Sequence, residues 1–457
     1  MRRKALEYLR RWVGKHHRRP LIVRGARQVG KSHLVRQLAG TVFENLLEIN
    51  LEVDADAASL FESKKPKQIL GLLQVRYGKA IEPGKTLLFL DEIQASPEVL
   101  SCLRYFHEEM PELHVIAAGS LLDFALRDPN SSMPVGRIEY LHLGPMDFEE
   151  FLTGLGLDHQ QSFLENYLPG DDIPSSLHAE LMRRTRQFFQ VGGMPASLAS
   201  FVRTGVMEES EEIRQNLLST YRDDFGKYGR QVDRRRLEKV FNQIPLLVGS
   251  KFMYSRVDRE ERSKDLGHAL DLLTMARVVS RVRHSSSNGV PLGAEASERR
   301  FKMLFLDVGL LCRSSGLGLL DFEGADDVTL INAGAVCEQF IGQHLLFSKE
   351  LYENPELNYW AREQKSSNAE VDYVISIGPK IIPVEVKAGK TGTLKSLHVF
   401  LQEKKLSFAI RFNADPPSLL DTKFSTANAP GHPFRLLSLP HYLVCQTRRL
   451  CREAINQ

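Results

Sequence analysis

Residues 25–32 read GARQVGKS, which matches the pattern G-x-x-x-x-G-K-[ST] at every fixed position. Glycines at these positions let a backbone curl so that its N–H groups point at phosphate oxygens, and the following helix offers its positive amino terminus. Lys31 would contact the β and γ phosphates of a nucleotide, and the Ser32 hydroxyl would bind Mg²⁺. The predicted nucleotide-binding residues of this loop are Gly25, Ala26, Arg27, Gln28, Val29, Gly30, Lys31, Ser32 and His33.

A phosphate site of this kind needs acidic residues at the end of a neighbouring strand, and LLFLDEIQ supplies Asp91 and Glu92 after four apolar residues. Asp91 would hold Mg²⁺ through water, and Glu92 would orient or deprotonate the attacking water. Ser120 ends the apolar run HVIAAGS and would contact the γ-phosphate or the water. The expected ligands are therefore ATP and Mg²⁺. ATP is preferred over GTP partly because the chain has no NKxD-type guanine motif.

A second group of charged residues lies near the other end of the chain, in EVDYVISIGPKIIPVEVK. Glu385 and Lys387 are two residues apart, so on a strand they share one face. A turn that pairs Ile377 with Lys380 would place Asp372 directly opposite Glu385. The sequence therefore predicts a hairpin that brings two carboxylates and one ammonium to the same face.

Two carboxylates a few ångströms apart repel each other unless a divalent cation lies between them. Asp372 and Glu385 would bind Mg²⁺ or Mn²⁺, Glu338 on an upstream helix could supply a third acid, and Lys387 would act on a phosphate as a catalytic residue. A solvent-facing hairpin with alternating charge would have the same spacing. A domain that keeps these residues but has lost its activity is a further alternative.

The elements around these residues indicate more than one domain. The apolar runs 21–23, 46–52, 86–92 and 114–120 alternate with helical patterns, which is typical of a parallel sheet covered on both faces. Helices dominate from 156 to 226. A helical cluster followed by a small hairpin then resembles a winged helix.

Composition limits the class of protein without identifying it. The chain has 457 residues, 42% hydrophobic and 26% charged, and a formal net charge of +3, which does not by itself indicate a nucleic-acid partner. Its five cysteines form no C-x-x-C pair, which favours reduced thiols and a cytoplasmic location. No apolar run approaches the roughly 18 residues of a membrane helix, so we expect no membrane partner. The basic N-terminal helix is either a solvated face or a contact for DNA or membrane.

Four segments, GARQVGKS, LLFLDEIQ, VGRIEYLHLGPMDFEEF and FFQVGGMP, resemble a large group of prokaryotic AAA-type ATP-binding proteins. These are similar to the signal-transduction (STAND) NTPases and to archaeal ATPases. In that group a Gly-x-Pro motif of the helical lid approaches the nucleotide, and the resemblance assigns this role to Gly193 and Pro195. It also makes Arg137 a candidate arginine finger, in cis or in trans, with Arg127 as the competing candidate.

The C-terminal segments RRFKMLFLDVGLL, YWAREQKSSNAEVDYVISIGPKIIPVEVKAG and LPHYLV resemble a domain of unknown function that ends many of these ATPases. That domain is similar to PD-(D/E)xK nucleases. The expected fold class is α/β, with a P-loop NTPase parallel sheet and helical lid, then a winged helix, then a restriction-endonuclease-like α/β domain. The expected segments are a basic helix (1–19), an ATPase core (20–155), a lid (156–226), a winged-helix-like domain (227–318) and a nuclease-like domain (319–457).

Three functions follow as alternatives. The first is an ATPase that couples its nucleotide state to a nuclease-like, DNA-binding module. The second is a nucleotide-controlled DNA-binding switch without cleavage, and the third is an ATP-dependent scaffold for a protein partner. The triplet Arg234, Arg235 and Arg236 mildly favours DNA as a partner, although it could also be a solvated helix face. An oligomer is compatible with all three.

Overall fold

The computed structural model describes residues 1–125, 136–228, 233–317, 333–362, 368–389, 393–426 and 429–457. The chain divides into two compact units. The first contains Met1–Pro145 together with the short segments Met275–Arg277 and Glu350–Asn354. The second contains Met146–Thr274, Val278–Lys349 and Pro355–Gln457.

The first unit is an α/β layer structure around a parallel sheet with the strand order β2-β3-β4-β1-β5. Its strands are β1 (Leu21–Arg24), β2 (Asn45–Asn50), β3 (Thr86–Asp91), β4 (His114–Gly119) and β5 (Glu139–His142). Its helices are α1 (Ala5–Val13), α2 (Lys31–Val42), α3 (Pro66–Tyr77), α4 (Pro97–Glu109) and α5 (Leu122–Ala125), with 3₁₀ turns at Ala55–Phe61 and Ile93–Ala95.

The central strands of this sheet are buried along their whole length. Every residue of β3 and β4 is buried, which explains their continuous apolar runs. Ile22, Leu88 and Val115 belong to one core cluster that also includes residues of the covering helices. The expectation of a parallel sheet in a P-loop α/β unit is confirmed. The sequence reasoning did not identify β5, which begins two residues after Arg137.

The basic N-terminal helix is α1, and its apolar face is part of the first unit. Leu9 and Trp12 are fully buried, and α1 packs against α2. Two cations of this segment are engaged within the chain: Arg10 of the helix pairs with Glu7 at 2.9 Å, and Arg2, before the helix, pairs with the same carboxylate at 3.1 Å. These pairs are exposed and contribute little stability.

The second unit combines a helical region with a mixed sheet. Its helices are α6 (Phe148–Gly154), α7 (Asp158–Asn166), α8 (Ser175–Val191), α9 (Pro195–Thr204), α10 (Met207–Asp223), α11 (Arg234–Leu247), α12 (Tyr254–Val257), α13 (Ser263–Met275), α14 (Val308–Ser314), α15 (Ala333–Leu346), α16 (Lys395–Lys404) and α17 (Thr447–Asn456). Its strands are β6 (Val279–Ser285), β7 (Ala296–Phe305), β8 (Leu357–Arg362), β9 (Ala369–Ile377), β10 (Lys380–Val386), β11 (Phe408–Asn413), β12 (Ser418–Thr426) and β13 (Ala429–Pro440). Further 3₁₀ turns lie at Asp224–Lys227, Leu292–Glu295 and His441–Gln446.

The hairpin expected to be the wing of a winged helix has a different role. Strands β6 and β7 pair with each other, and β6 also pairs in parallel with β8. The result is one eight-stranded sheet with the order β12-β13-β11-β10-β9-β8-β6-β7. The hairpin therefore forms an edge of the sheet that also contains the nuclease-like segment.

No helix within the described residues has both the length and the apolar character that a membrane crossing requires.

Candidate functional site

The glycine-rich loop connects β1 to α2 at the carboxyl edge of the parallel sheet. Two of its residues, Gln28 at φ 63° and Gly30 at φ 92°, adopt left-handed backbone conformations that curl the chain. Gly25 is required for a different reason, because a Cβ at this position would lie 2.3 Å from the backbone carbonyl oxygen of Leu143. The loop residues Ala26 and Val29 are buried, whereas Gln28 and His33 are exposed.

The Lys31 ammonium lies inside the loop that it belongs to. Its Nζ donates to the carbonyl oxygens of Gly25, at 3.1 Å, and Ala26, at 2.8 Å. Burial lowers the pKa of Lys31 to about 8, although the carboxylates of Glu92 and Asp91 act in the opposite direction. Lys31 is therefore a desolvated cation beside two acids, which suits it to pair with an incoming phosphate.

Ser32 and Asp91 lie together where α2 begins. The Ser32 hydroxyl donates to Asp91 Oδ2 at 2.7 Å. Burial raises the pKa of Asp91, and the hydrogen bond from Ser32 partly opposes that rise. A hydroxyl and a carboxylate in contact are hard oxygen ligands of the kind that Mg²⁺ uses beside phosphates, so this pair fits the expected ion.

Glu92 is held in place by two polar side chains. It has a left-handed backbone with φ 50° at the end of β3. Its Oε2 accepts from Gln94 Nε2 at 2.6 Å and from the Ser120 hydroxyl at 3.0 Å. Arg27 in turn donates from Nε to Ser120 Oγ at 3.2 Å. The structure thus brings Glu92, Ser120 and Arg27 together.

The electrostatic environment keeps Glu92 ionised. Burial raises the pKa of this carboxyl, but the hydrogen bond from Gln94 and the charge of Lys31 outweigh burial, so the pKa is lower than usual. An ionised carboxylate can accept a proton from water. Sequence reasoning missed Gln94, although its position two residues after Glu92 in LLFLDEIQ was a signal for it.

Arg3 is a further residue that the sequence reasoning missed. Its guanidinium is buried, with Nη1 donating to the carbonyl oxygen of Val29 at 3.0 Å and Nη2 to that of Gly144 at 2.9 Å. It thereby fixes the phosphate loop against the segment after β5. Nothing local in the sequence indicates a contact that spans 141 residues.

Arg137 is not brought to the phosphate loop. It precedes the amino-terminal end of β5, which pairs in parallel with β1, whereas the loop follows the carboxyl end of β1. Its Nε pairs with Glu108 Oε1 at 2.9 Å. A role for Arg137 as a finger in cis is therefore wrong, since the residue lies at the opposite edge of the sheet. Arg127 lies outside the described residues.

Gly193 and Pro195 belong to the second unit. The Gly193 N–H donates to Asp307 Oδ2 at 2.7 Å, and its carbonyl accepts from the Met146 N–H at 2.7 Å. Any Cβ on Gly193 would lie 2.0 Å from the carbonyl oxygen of Met146, and Pro195 opens α9. This packing accounts for the motif within its unit, and its approach to a nucleotide stays a prediction.

The C-terminal hairpin has the expected register. Lys380 pairs with Ile377 and Val384 with Tyr373, so the next position along the ladder sets Glu385 against Asp372. The Val386 N–H donates to Asp372 Oδ2 at 2.8 Å. Lys387 Nζ lies 2.6 Å from Glu385 Oε1, on the same face of the strand.

A buried lysine that the sequence reasoning missed lies among the acids. Lys302 in β7 has a side chain only 3% exposed. Its Nζ lies 2.5 Å from Glu370 Oε1, 3.5 Å from Glu338 Oε2 and 3.7 Å from Asp372 Oδ1. We refer to Lys302, Glu338, Glu370 and Asp372 as the Lys302 cluster. The ammonium occupies the centre where the sequence placed a metal ion.

The carboxylates around Lys302 do not form a group that fits a metal ion. Within the described residues, no group of three or more His, Cys, Asp or Glu side chains could hold a metal ion. The prediction that Glu338, Asp372 and Glu385 bind Mg²⁺ or Mn²⁺ therefore gains no support. Burial and the charge of Asp372 raise the pKa of both Glu338 and Glu385, whereas the neighbouring lysines oppose that rise.

The arginine triplet at the start of α11 is partly neutralised. Arg234 Nε pairs with Glu238 at 3.0 Å, and Arg236 Nε pairs with Glu261 at 2.9 Å. These ion pairs favour the interpretation of a solvated helix face over that of a DNA-binding patch.

Comparison with known sequence families agrees with the first unit. Residues 17–152 match the AAA domain family. Residues 182–321 match the domain of unknown function DUF8612, and residues 333–415 match the domain of unknown function DUF4143. No curated protein matches the chain. The phosphate loop thus lies within the residues that match the AAA domain family, and the two other matches assign no activity.

Several solved structures are similar to this chain. A Walker-type ATPase of Pyrococcus abyssi is 16% identical, with a TM-score of 0.44 over 69% of this chain and 95% of that one. The ORC2 protein of Aeropyrum pernix, solved as ADPNP–ADP complexes, is 14% identical, with a TM-score of 0.34 over 69% and 93%. PCH-2 of C. elegans is 10% identical, with a TM-score of 0.25 over 48% and 61%.

Proposed function

We propose that the chain binds Mg²⁺-ATP at the loop between β1 and α2 and hydrolyses it to ADP and phosphate. The observation that carries this proposal is the contact of Ser32 Oγ with Asp91 Oδ2 at 2.7 Å, beside the buried ammonium of Lys31. Lys31 and the loop N–H groups would bind the phosphates. Ser32 and Asp91 would hold Mg²⁺, which neutralises phosphate charge when bound.

Glu92 would accept the proton of the attacking water. Its ionised state and its two hydrogen bonds, from Gln94 and Ser120, support this role. Ser120 links Glu92 to Arg27, so the carboxylate is oriented by the same loop that would bind the phosphates. General bases of this kind typically contribute about 10²–10⁴-fold to a rate.

Nucleotide binding tests the first part of the proposal. Lys31→Ala removes a charge-assisted contact of about 1.5–3 kcal/mol, so ATP affinity should fall about tenfold or more. Fluorescent ATP titrations measure this, and Lys67→Ala, at an exposed lysine of α3, is the matched control. If Lys31→Ala binds ATP as tightly as the control, the phosphate site lies elsewhere.

A DNA-binding role for the second unit, controlled by nucleotide and without cleavage, is our second candidate function. A groove of about 990 Å³ supports it, with Leu406, Phe408 and Phe434 in its lining and the lysines Lys380, Lys405 and Lys423 beside them. A basic lining attracts a phosphate backbone. The Lys302 cluster does not fit a metal, and we derive no cleavage step from it.

Salt-dependent DNA binding tests this second function. The double variant Lys405→Glu/Lys423→Glu should bind DNA more weakly than the wild-type protein and show a shallower dependence on salt. The double variant Lys65→Glu/Lys67→Glu, at two exposed lysines of the first unit, controls for net charge. DNA binding that is equal in all three proteins, or absent from the wild type, would leave the ATP-dependent scaffold as the better account.

A further inference from the structure

A segment of three residues, Met275–Arg277, brings the side chain of Arg277 to the sheet of the first unit. Met275–Arg277 belongs to the first unit, although Thr274 before it and Val278 after it belong to the second. Arg277 lies between α13 and β6, about 250 residues after the phosphate loop along the chain. Its backbone has φ 60°, a left-handed conformation that bulky side chains rarely adopt.

The Arg277 guanidinium is held at the carboxyl ends of the strands. Its Nε donates to Asp123 Oδ2 at 2.9 Å, and its Nη1 lies 3.1 Å from His142 Nδ1. His142 is the last residue of β5, and Asp123 follows β4. Ligands of open parallel sheets bind at this edge. The phosphate loop leaves β1 here, directly between β4 and β5.

The same carboxylate is shared with a second arginine. Arg24, the last residue of β1 before the loop, also pairs with Asp123. Burial, together with the charges of Arg277 and Arg24, lowers the pKa of His142 to about 3, so the imidazole is neutral. Two guanidinium charges and one carboxylate leave one net positive charge in this largely buried group. A buried net charge is costly unless an ion of opposite sign is near.

The site therefore calls for an anion, and the phosphate loop lies within electrostatic reach. Arg24, which shares the Asp123 carboxylate with Arg277, is followed directly by Gly25, the first residue of that loop. Burial lowers the pKa of Arg277 to about 10. Arg137 cannot fill this role in cis from the opposite edge of the sheet.

We propose that Arg277 contacts the terminal phosphate of bound ATP and stabilises the charge that develops on it during hydrolysis. This proposal rests on the proposed function, since it places ATP at the phosphate loop. Asp123 positions Arg277 in the nucleotide-free protein. When ATP binds, Arg277 would give up part of its ion pair with Asp123 and contact the terminal phosphate. ADP lacks that phosphate, so the Arg277 side chain distinguishes ATP from ADP.

Three variants of the full-length protein test this proposal: Arg277→Ala, Arg277→Lys and the matched control Arg104→Ala, at an exposed arginine of α4. Arg277→Ala should slow phosphate release about 100-fold or more, in keeping with fingers that contribute about 10³–10⁵-fold. It should weaken ATP binding more than ADP binding. Arg277→Lys should recover part of the ATP preference, and the control should match the wild type.

A second readout does not depend on the hydrolysis rate or on the alanine variant folding. The wild type should trap ADP with aluminium fluoride, an analogue of the transferring phosphoryl group, whereas Arg277→Lys should bind ADP normally but trap it poorly. Equal trapping, or an Arg277→Ala variant with wild-type hydrolysis, would overturn the proposal. So would equal losses of ATP and ADP affinity, which a merely structural arginine predicts.

A wild type that hydrolyses ATP together with an unaffected Arg277→Ala variant overturns this inference alone. A wild type that binds no ATP overturns the proposed function as well.

Discussion

The buried state of Lys31 predicts how ATP affinity depends on pH. In the nucleotide-free protein, burial lowers the pKa of Lys31 to about 8. Phosphate would raise that pKa again, because a negative charge favours the ammonium form. Below pH 8 the lysine is already charged, so affinity should be level. Above pH 8 the protein must take up a proton to bind ATP, so affinity should fall with rising pH.

The size of the effect follows from the proton balance. Each pH unit above the nucleotide-free pKa costs about 1.36 kcal/mol, or roughly tenfold in affinity. At pH 9.5 the affinity for ATP should therefore be about 30-fold lower than its level value well below pH 8, at constant Mg²⁺. The phosphates of ATP are already fully ionised over this range, so they do not contribute to the slope.

Calorimetric titration in two buffers of different ionisation enthalpy measures both the affinity and the protons taken up. Uptake should be about half a proton per ATP at pH 8 and approach one at higher pH. Lys31→Arg is the control, because a guanidinium stays charged throughout this range. A level affinity with no proton uptake in the wild type would refute the account, since Lys31 would then be charged without a phosphate partner.

The effects of two further substitutions are predicted from close contacts in the structure. Gly25→Ala should abolish measurable ATP binding, because the new Cβ would lie 2.3 Å from the Leu143 carbonyl oxygen, whereas Gly40→Ala in α2, which meets nothing within 4 Å, should bind ATP normally. Equal binding by the two variants would show that the loop tolerates a side chain. Lys302→Met should lower the free energy of unfolding by about 3–5 kcal/mol, because it leaves three carboxylates without their cation. Chemical denaturation measures this loss beside the exposed control Lys380→Met, and equal stability of the two variants would contradict the cation's role in the cluster.

The parts of the site that sequence predicted are those set by short stretches of chain. The loop pattern fixes Lys31 and Ser32 by local spacing, and an apolar strand that ends in two acids fixes Asp91 and Glu92. The hairpin register of Asp372 and Glu385 was also predictable, because a tight turn at Gly378 sets the pairing of both strands. In each case, neighbours in sequence determine the geometry.

The residues that were missed depend on contacts between distant segments. Lys302, Arg3 and Arg277 each reach their partners from another part of the chain, and local patterns carry no signal for such contacts. The hairpin β6–β7 was assigned to a wing because sequence does not show what pairs with its outer edge. The position of Arg137 at the opposite edge of the sheet was not predictable either, because it follows from β5, a strand that the sequence reasoning did not identify.

Phosphate release from saturating Mg²⁺-ATP, measured side by side for the wild type and Glu92→Gln, tests the central claim most directly. The wild type should release phosphate, and Glu92→Gln should bind ATP normally but lose about 10²–10⁴-fold in rate, because the amide cannot accept the proton of water. Equal rates for the two proteins, or no release by the wild type, would contradict the claim that this site hydrolyses ATP.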